Sequence, residues 1–209
     1  ALKQIRQIIL KNVPRTATST DIRRVINKAG VRGVSDIAID YEYFKPAERA
    51  ILTLVSADYL KPNLRALANL SISGIPVQAQ PHVAEAQSRS RMRGHAGRVE
   101  AALRGTLLGN GSHAGIANNE LTVTLGGLPA QTSTEYLAGV LKDFKVAKTM
   151  KGHPQIVKLP LPPDAFSLTS KFLVTLTSIT EAHRLVRKLH ASYLKLYGED
   201  ILITAKIIN

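Results

Sequence analysis

The side chains in this sequence best placed to do chemistry are cations. Arg89, Arg91, Arg93, Arg98 and Arg104 stand in one stretch otherwise rich in Ser, Gly and Ala, and guanidinium groups of this kind can hold phosphate oxygens through paired N–H donors. Lys11, Arg49 and Lys171 sit instead inside apolar, β-prone runs, where a strand displays alternate side chains on one face of a sheet. The chemistry they imply is grip on a polyanion, not bond making.

Other reactive residue types lack the neighbours a reaction would require. His82, His95, His113, His153, His183 and His190 show no ligand spacing with acids on an expected helix. His183 and His190 share a helix side, which reads as surface rather than a metal pair. The absence of cysteine removes disulfides and thiolate zinc ligands together. Gly109-Asn110-Gly111-Ser112-His113-Ala114-Gly115 superficially suggests a phosphate-binding turn, but it has no preceding strand and no P-loop lysine, so it reads as flexible linker. With no Ser/His/Asp set and no paired carboxylate at an evident pocket, the chain reads as a non-enzyme without metal or cofactor.

Composition supports the polyanion reading. Lys plus Arg is 28 against 15 Asp plus Glu, a net charge of +13, which points to nucleic acid first and an acidic membrane surface second. No run approaches the roughly 18 consecutive apolar residues that a membrane-crossing helix needs, so no membrane insertion is expected. The first residue is Ala1, not Met. A removed organelle-targeting leader is one explanation, giving a mitochondrial expectation with nuclear or cytoplasmic alternatives.

The elements that must position these cations come in two copies. Ile8-Ile9-Leu10-Lys11-Asn12-Val13-Pro14 is an apolar run closed by a turn, and the same shape recurs as Val123-Thr124-Leu125-Gly126-Gly127-Leu128-Pro129. Each is followed by a capped amphipathic helix, two extended segments, a second helix and a short terminal strand, and a repeat of this size indicates two domains. In the first copy Thr18-Ser19-Thr20-Asp21 offers N-cap oxygens ahead of Ile22, Val25, Ile26 and Ala29. Strands are expected from Val34 to Tyr43 and from Ala50 to Val55, with a turn around Lys45-Pro46. A helix follows over Asp58 to Ala68, shortened by Pro62, and Ile72 to Val77 closes the copy with a turn and a strand.

In the second copy Thr132-Ser133-Thr134-Glu135 and Ser178-Ile179-Thr180-Glu181 read as capping boxes. Strands are expected at Ile156 to Leu161, Phe172 to Thr177 and Ile201 to Ala205. Residues 1–81 and 120–209 thus each read as β-α-β-β-α-β. Residues 82–119 read as a basic, Gly- and Arg-rich linker with one short helix at 99–108, and all three parts carry net positive charge.

This order resembles the RNA recognition motif (RRM), as a tandem pair covering nearly all of the chain outside the linker. The resemblance is carried by Ile8-Ile9-Leu10-Lys11-Asn12-Val13 and Val123-Thr124-Leu125-Gly126-Gly127-Leu128 as first signature strands. Ala47-Glu48-Arg49-Ala50-Ile51-Leu52-Thr53-Leu54 and Thr169-Ser170-Lys171-Phe172-Leu173-Val174-Thr175-Leu176 stand as the second. It implies an α+β fold of two ferredoxin-like domains, each with two helices on one sheet face and RNA on the other, where aromatic residues of the central strands stack on bases.

Those aromatic positions are replaced here. Strand periodicity puts Ile9, Arg49 and Ile51 on the open face of the first sheet, and Thr124, Lys171 and Leu173 on that of the second. Base stacking on an aromatic side chain is worth roughly 1–3 kcal/mol per base, so its loss leaves phosphate and sugar contacts to folded RNA as the expected mode. RNA-binding residues on this reading are Lys11, Arg49, Arg89, Arg91, Arg93, Arg98, Arg104 and Lys171. Ile9, Ile51 and Leu173 form a patch for a protein partner, the alternative being that a neighbouring loop or terminal helix covers them.

The expected role is a structural component of a large ribonucleoprotein, in the specific case a mitochondrial ribosome, contacting rRNA and neighbouring proteins. The rival readings are a mobile mRNA-binding or splicing factor and a protein-interaction scaffold.

Overall fold

The computed structural model describes residues 5–83, 94–161 and 166–209. They form two units, one of residues 5–83 with 110–115 and 209, the other of 94–109 with 116–208.

In the first unit β1 (Gln7–Lys11) turns Ile8 and Leu10 into the core and leaves Ile9 half-buried on the other face. Helix α1 (Ser19–Lys28) opens on a reciprocal capping box. The Asp21 amide donates to Thr18 Oγ1 at 3.2 Å, and the Thr18 amide donates to the Asp21 carboxylate at 3.1 Å. Hydrogen bonds from Thr18, the side-chain one first, hold the Asp21 carboxyl below its ordinary range. Ile22 and Ile26, one turn apart, supply the buried face.

Strands β2 (Val34–Glu42) and β3 (Lys45–Leu54) pair out to Glu42 opposite Lys45, so their turn is Tyr43-Phe44 rather than the expected Lys45-Pro46. Both turn residues are left-handed, with φ of 48° and 59°, the backbone that matches a two-residue hairpin to strand twist. Helix α2 (Leu60–Ala66) buries Leu60 and Asn63, and Leu67 caps it. Asn63 accepts from the Arg32 amide at 3.1 Å and donates to the Arg32 carbonyl at 2.7 Å. A small hairpin of β4 (Ser71–Ile72) and β5 (Ile75–Pro76) precedes the closing strand β6 (Gln78–His82), which lies beyond the expected end at Val77.

The stretch expected as a linker contains helix α3 (Gly94–Leu103), which belongs to the second unit, and strand β7 (Gly111–Ser112), which belongs to the first. The first sheet is antiparallel in the order β6-β1-β3-β2-β7.

The second unit runs β8 (Thr122–Pro129), α4 (Thr134–Val140), β9 (Ile156–Lys158), β10 (Thr169–Thr175), α5 (Ile179–Leu189), β11 (Ser192–Leu196) and β12 (Glu199–Ile207). Ser133, one residue after the expected Thr132, caps α4 by accepting from the Tyr136 amide at 3.1 Å. Ser178 caps α5 through the Glu181 amide at 3.2 Å. The sheet order is β11-β12-β8-β10-β9. Val123, Leu125, Phe172, Val174, Ile203 and Ala205 pack from the sheet against Leu137, Leu141, Ala182 and Leu185 of the helices.

In both sheets the first and third strands of the repeat are central, with its closing and second strands flanking them. Each unit is ferredoxin-like, and the fold class is α+β.

Candidate nucleic-acid interface

A ferredoxin-like sheet spends one face on its two helices and leaves the other to be exposed or covered. The two units resolve that choice differently.

On the first sheet the register places Gln80, Ile9, Ile51 and Ala38 in one row across β6, β1, β3 and β2. Ile9 and Ile51 are half-buried. The adjacent row sets Lys11 directly opposite Arg49, with Gln78 on the far side of Lys11. Both cations are exposed. Like charges directly opposite on antiparallel strands repel. Asp40 offsets one of them through a 2.8 Å contact with the Arg49 guanidinium, whose side chain is nearly half exposed. An ion pair at that exposure contributes at most about 1 kcal/mol, so it can be exchanged for another anion.

Beside Arg49, Glu48 has φ of 58°, uncommon for a residue other than glycine. The Glu48 carbonyl accepts from the Val13 amide at 2.8 Å, and its carboxylate pairs with Arg15 at 2.8 Å.

The second sheet is covered over half of the same face. Leu173 and Val157, on the side away from α4 and α5, are only 1% and 4% exposed, and Thr122 and Thr175 beside them are buried as well. Helix α3 lies there. It packs on β9, and its Arg98, 6% exposed, donates from Nη1 to Thr175 Oγ1 at 3.2 Å. Burial lowers the Arg98 pKa. Ala101 is buried on the same helix, and its carbonyl accepts from the Thr106 and Leu107 amides to close the last turn. Between α3 and β9 is a cavity of about 630 Å³ lined by His95, Val99, Glu135, His153, Val157 and Lys158 among others. Desolvation first, and the Arg98 charge second, lower the His95 pKa.

These placements sort the expected site residues. Lys11, Arg49, Ile9 and Ile51 come together on the first sheet. Leu173 occupies the expected face but is sealed beneath α3, and Arg98 is buried there rather than presented to a ligand. Arg104 is exposed and paired with Glu100 one turn back along α3. Lys171 is exposed on the second sheet beside Gly126. Arg89, Arg91 and Arg93 lie outside the described residues. Reasoning from sequence missed the covering role of α3. The signal was present in Ala101, Ala102 and Gly97, small residues that let a helix approach a sheet closely, but a small-residue run reads equally as linker. Among the described residues no group of three or more His, Cys, Asp or Glu could hold a metal ion, and no helix is long and apolar enough to cross a membrane.

No protein-family model and no curated protein matches the chain. Solved structures do. The Sxl-lethal protein in its RNA complex aligns over 98% of this chain and 99% of its own, at 9% identity and a TM-score of 0.35. The first two RRM domains of the yeast poly(U)-binding protein Pub1 align over 96% of this chain and 98% of their own, at 14% identity and 0.34. The three N-terminal RNA-binding domains of the yeast splicing factor Prp24 align at 13% identity and 0.30, over 97% of this chain and 63% of theirs. At these values none of them assigns a function to this chain.

Proposed function

We propose that the chain is a non-catalytic RNA-binding protein whose first unit takes RNA on the face of β1 and β3. The observation that carries this reading is Lys11 set directly opposite Arg49, with one partial counter-ion, on the sheet face that also holds Ile9 and Ile51. A phosphodiester backbone laid along that row relieves the repulsion of the two cations, while the aliphatic row offers a flat surface for sugar and base edges. With Ile9, Arg49 and Ile51 in place of stacking aromatics, phosphate contacts dominate and base identity matters little. This binding mode suits a structural component of a large ribonucleoprotein, and a mitochondrial ribosome is the specific case we propose.

The test is a titration of the full chain with a labelled stem-loop RNA across a range of salt concentrations. Substituting both Lys11 and Arg49 by Gln should weaken binding and flatten the salt dependence, by roughly 0.7–0.9 in log–log slope for each phosphate no longer neutralised. An unchanged slope in the double variant, or no salt-dependent binding by the parent chain, overturns the reading.

A further inference from the structure

The helix side of the first unit carries charge that the sheet face does not use. Ile22 and Ile26 turn one stripe of α1 into the core, which leaves Arg23, Arg24, Asn27 and Lys28 exposed on the outward stripe. On α2, Leu60 and Asn63 are buried while Lys61 and Arg65 are exposed. Arg24 with Lys28, and Lys61 with Arg65, are each four residues apart, about 6 Å along a helix axis. A solvated helix face gains from opposite charges at that spacing, whereas both of these pairs repel.

Buried Asn63 joins the two helices into one surface. Its side chain holds the amide and the carbonyl of Arg32, and the Arg32 side chain is exposed. The following residue is held as well: Gly33 has φ of 66°, and a Cβ there would lie 2.5 Å from the Tyr59 ring. Charge therefore continues from the end of α1 through a fixed turn to α2.

None of Arg23, Arg24, Lys28, Arg32, Lys61 and Arg65 has an ion-pair partner among the described residues. The carboxylates nearest in sequence are otherwise engaged. Asp21 accepts from the Thr18 amide and hydroxyl, and Asp58 accepts from the Ser56 hydroxyl at 2.8 Å. The second repeat treats its helix cations differently. Arg184 of α5 donates to both Glu181 oxygens at 2.8 and 2.9 Å and lies 4.9 Å from the Phe144 ring centre, and Lys188 lies 5.6 Å from the same ring.

We propose that the outward face of α1 and α2 binds the phosphate backbone of double-helical RNA. Four of the six cations are arginines, whose planar donors match phosphate oxygens. A duplex suits this face better than a single strand, because neither helix carries an aromatic side chain for bases to stack on and Tyr59, just before α2, is packed against Gly33. An acidic membrane is the poorer occupant, since none of the large exposed apolar side chains lies on α1 or α2. The proposal rests on the reading above for RNA as the partner class, but it uses other residues, on the opposite side of the sheet. With both faces engaged, one unit bridges two RNA segments.

The experiment uses the full chain and a blunt sixteen-base-pair RNA duplex. Free and duplex-bound chains are acetylated with an amine-reactive ester and mapped by mass spectrometry, and Lys28 and Lys61 should be protected in the complex. Replacing Arg24, Lys28, Lys61 and Arg65 together by Gln should weaken duplex binding roughly tenfold or more and lower the log–log salt slope by roughly 0.7–0.9 for each phosphate released. All four side chains are exposed and two repulsive pairs are removed, so this variant should melt no lower than the parent. The acetylation map of the parent chain does not depend on that variant.

Unprotected Lys28 and Lys61 under a bound duplex overturn the proposal. Equal protection by polyglutamate or by phosphatidylserine vesicles also overturns it, because the face then takes an acidic protein or a membrane as readily as RNA. If the Lys11 and Arg49 double variant loses stem-loop binding while the helix variant binds the duplex as the parent does, this face is wrong and the earlier reading survives. If the helix variant loses binding while the Lys11 and Arg49 variant keeps the parent's salt slope, the earlier reading falls and this one stands. If the parent chain binds neither RNA, both fail.

Discussion

Ile51 and Leu173 occupy corresponding places on the third strand of the two repeats, on the face turned away from the paired helices. Ile51 is half-buried beside Ile9, whereas Leu173 is sealed beneath α3, with the Arg98 guanidinium on Thr175 two residues along. The difference lies in what the chain supplies next to each sheet, not in the sheets themselves. A ferredoxin-like unit leaves one face without an intrinsic partner, and a single added helix converts half of that face from surface to core. In the second unit the exposed part of that face is then the strip on β8, β12 and β11.

The comparison can be broken most directly at its two reference residues. Leu173→Ala should destabilise the second unit by roughly 2–5 kcal/mol, as for other fully buried large-to-small changes. Ile51→Ala should cost the first unit well under half of that, because its side chain already meets solvent. Hydrogen exchange in α5 and in α1 reads the units separately, and equal losses would refute the contrast.

The next largest effect is at Arg98. Arg98→Ala should cost about 1–3 kcal/mol, chiefly by removing the buried aliphatic stem, read as faster exchange over 94–103. Arg98→Met keeps the apolar stem and removes a desolvated charge, so it should be close to neutral. Equal exchange in the two variants would mean that the covering helix does not depend on the stem packing.

A smaller effect follows from His95, whose folded pKa lies below its ordinary value through desolvation first and Arg98 second. Its unfolded state therefore binds the proton more readily. The stabilisation is complete above about pH 6.5, the unperturbed histidine value, and is lost as the pH falls through the folded value. Groups lining the same cavity are Glu135, His153 and Lys158. Protection of α3 should decline on acidification while that of α1 holds over the same range. Arg98→Met should raise the His95 pKa in an NMR titration, and no change would exclude the charge as a cause.

The smallest effect compares the helix caps. Thr18→Ala should cost about 1 kcal/mol, and Ser133→Ala less, because the Thr18 hydroxyl both accepts from the Asp21 amide and donates to the Asp21 carboxylate at 2.8 Å, whereas the Ser133 hydroxyl caps α4 by accepting from the Tyr136 amide. Asp21 has a lowered folded pKa, so its contribution is present above about pH 3.9 and disappears as the pH falls through the folded value. Urea melts of each variant at neutral and acid pH would check both the order and the sign.

Much of the fold was legible because it is written locally. Thr18 with Asp21, the Ile22 and Ile26 spacing, and the alternation of Ile8 and Leu10 each specify an element within a few residues. Turns were read less well: Tyr43-Phe44 forms the hairpin although neither residue favours a left-handed backbone, because strand pairing out to Glu42 and Lys45 imposes it. The hairpin strand β11 was overlooked because Ser192 to Leu196 directly follows a strong helix. At the candidate site, Lys11, Arg49, Ile9 and Ile51 were identifiable from strand periodicity alone.

The sequence by itself determined the duplicated β-α-β-β-α-β order, the helix caps, the alternation that separates core from open face, and a positive balance suited to a polyanion. These depend on interactions a few residues apart or on simple counting. Only the tertiary structure decided which open face stays open. Arg98 is a solvated cation in any reading of its neighbours, and it becomes a buried donor only because Thr175, far away in the chain, is brought beneath α3.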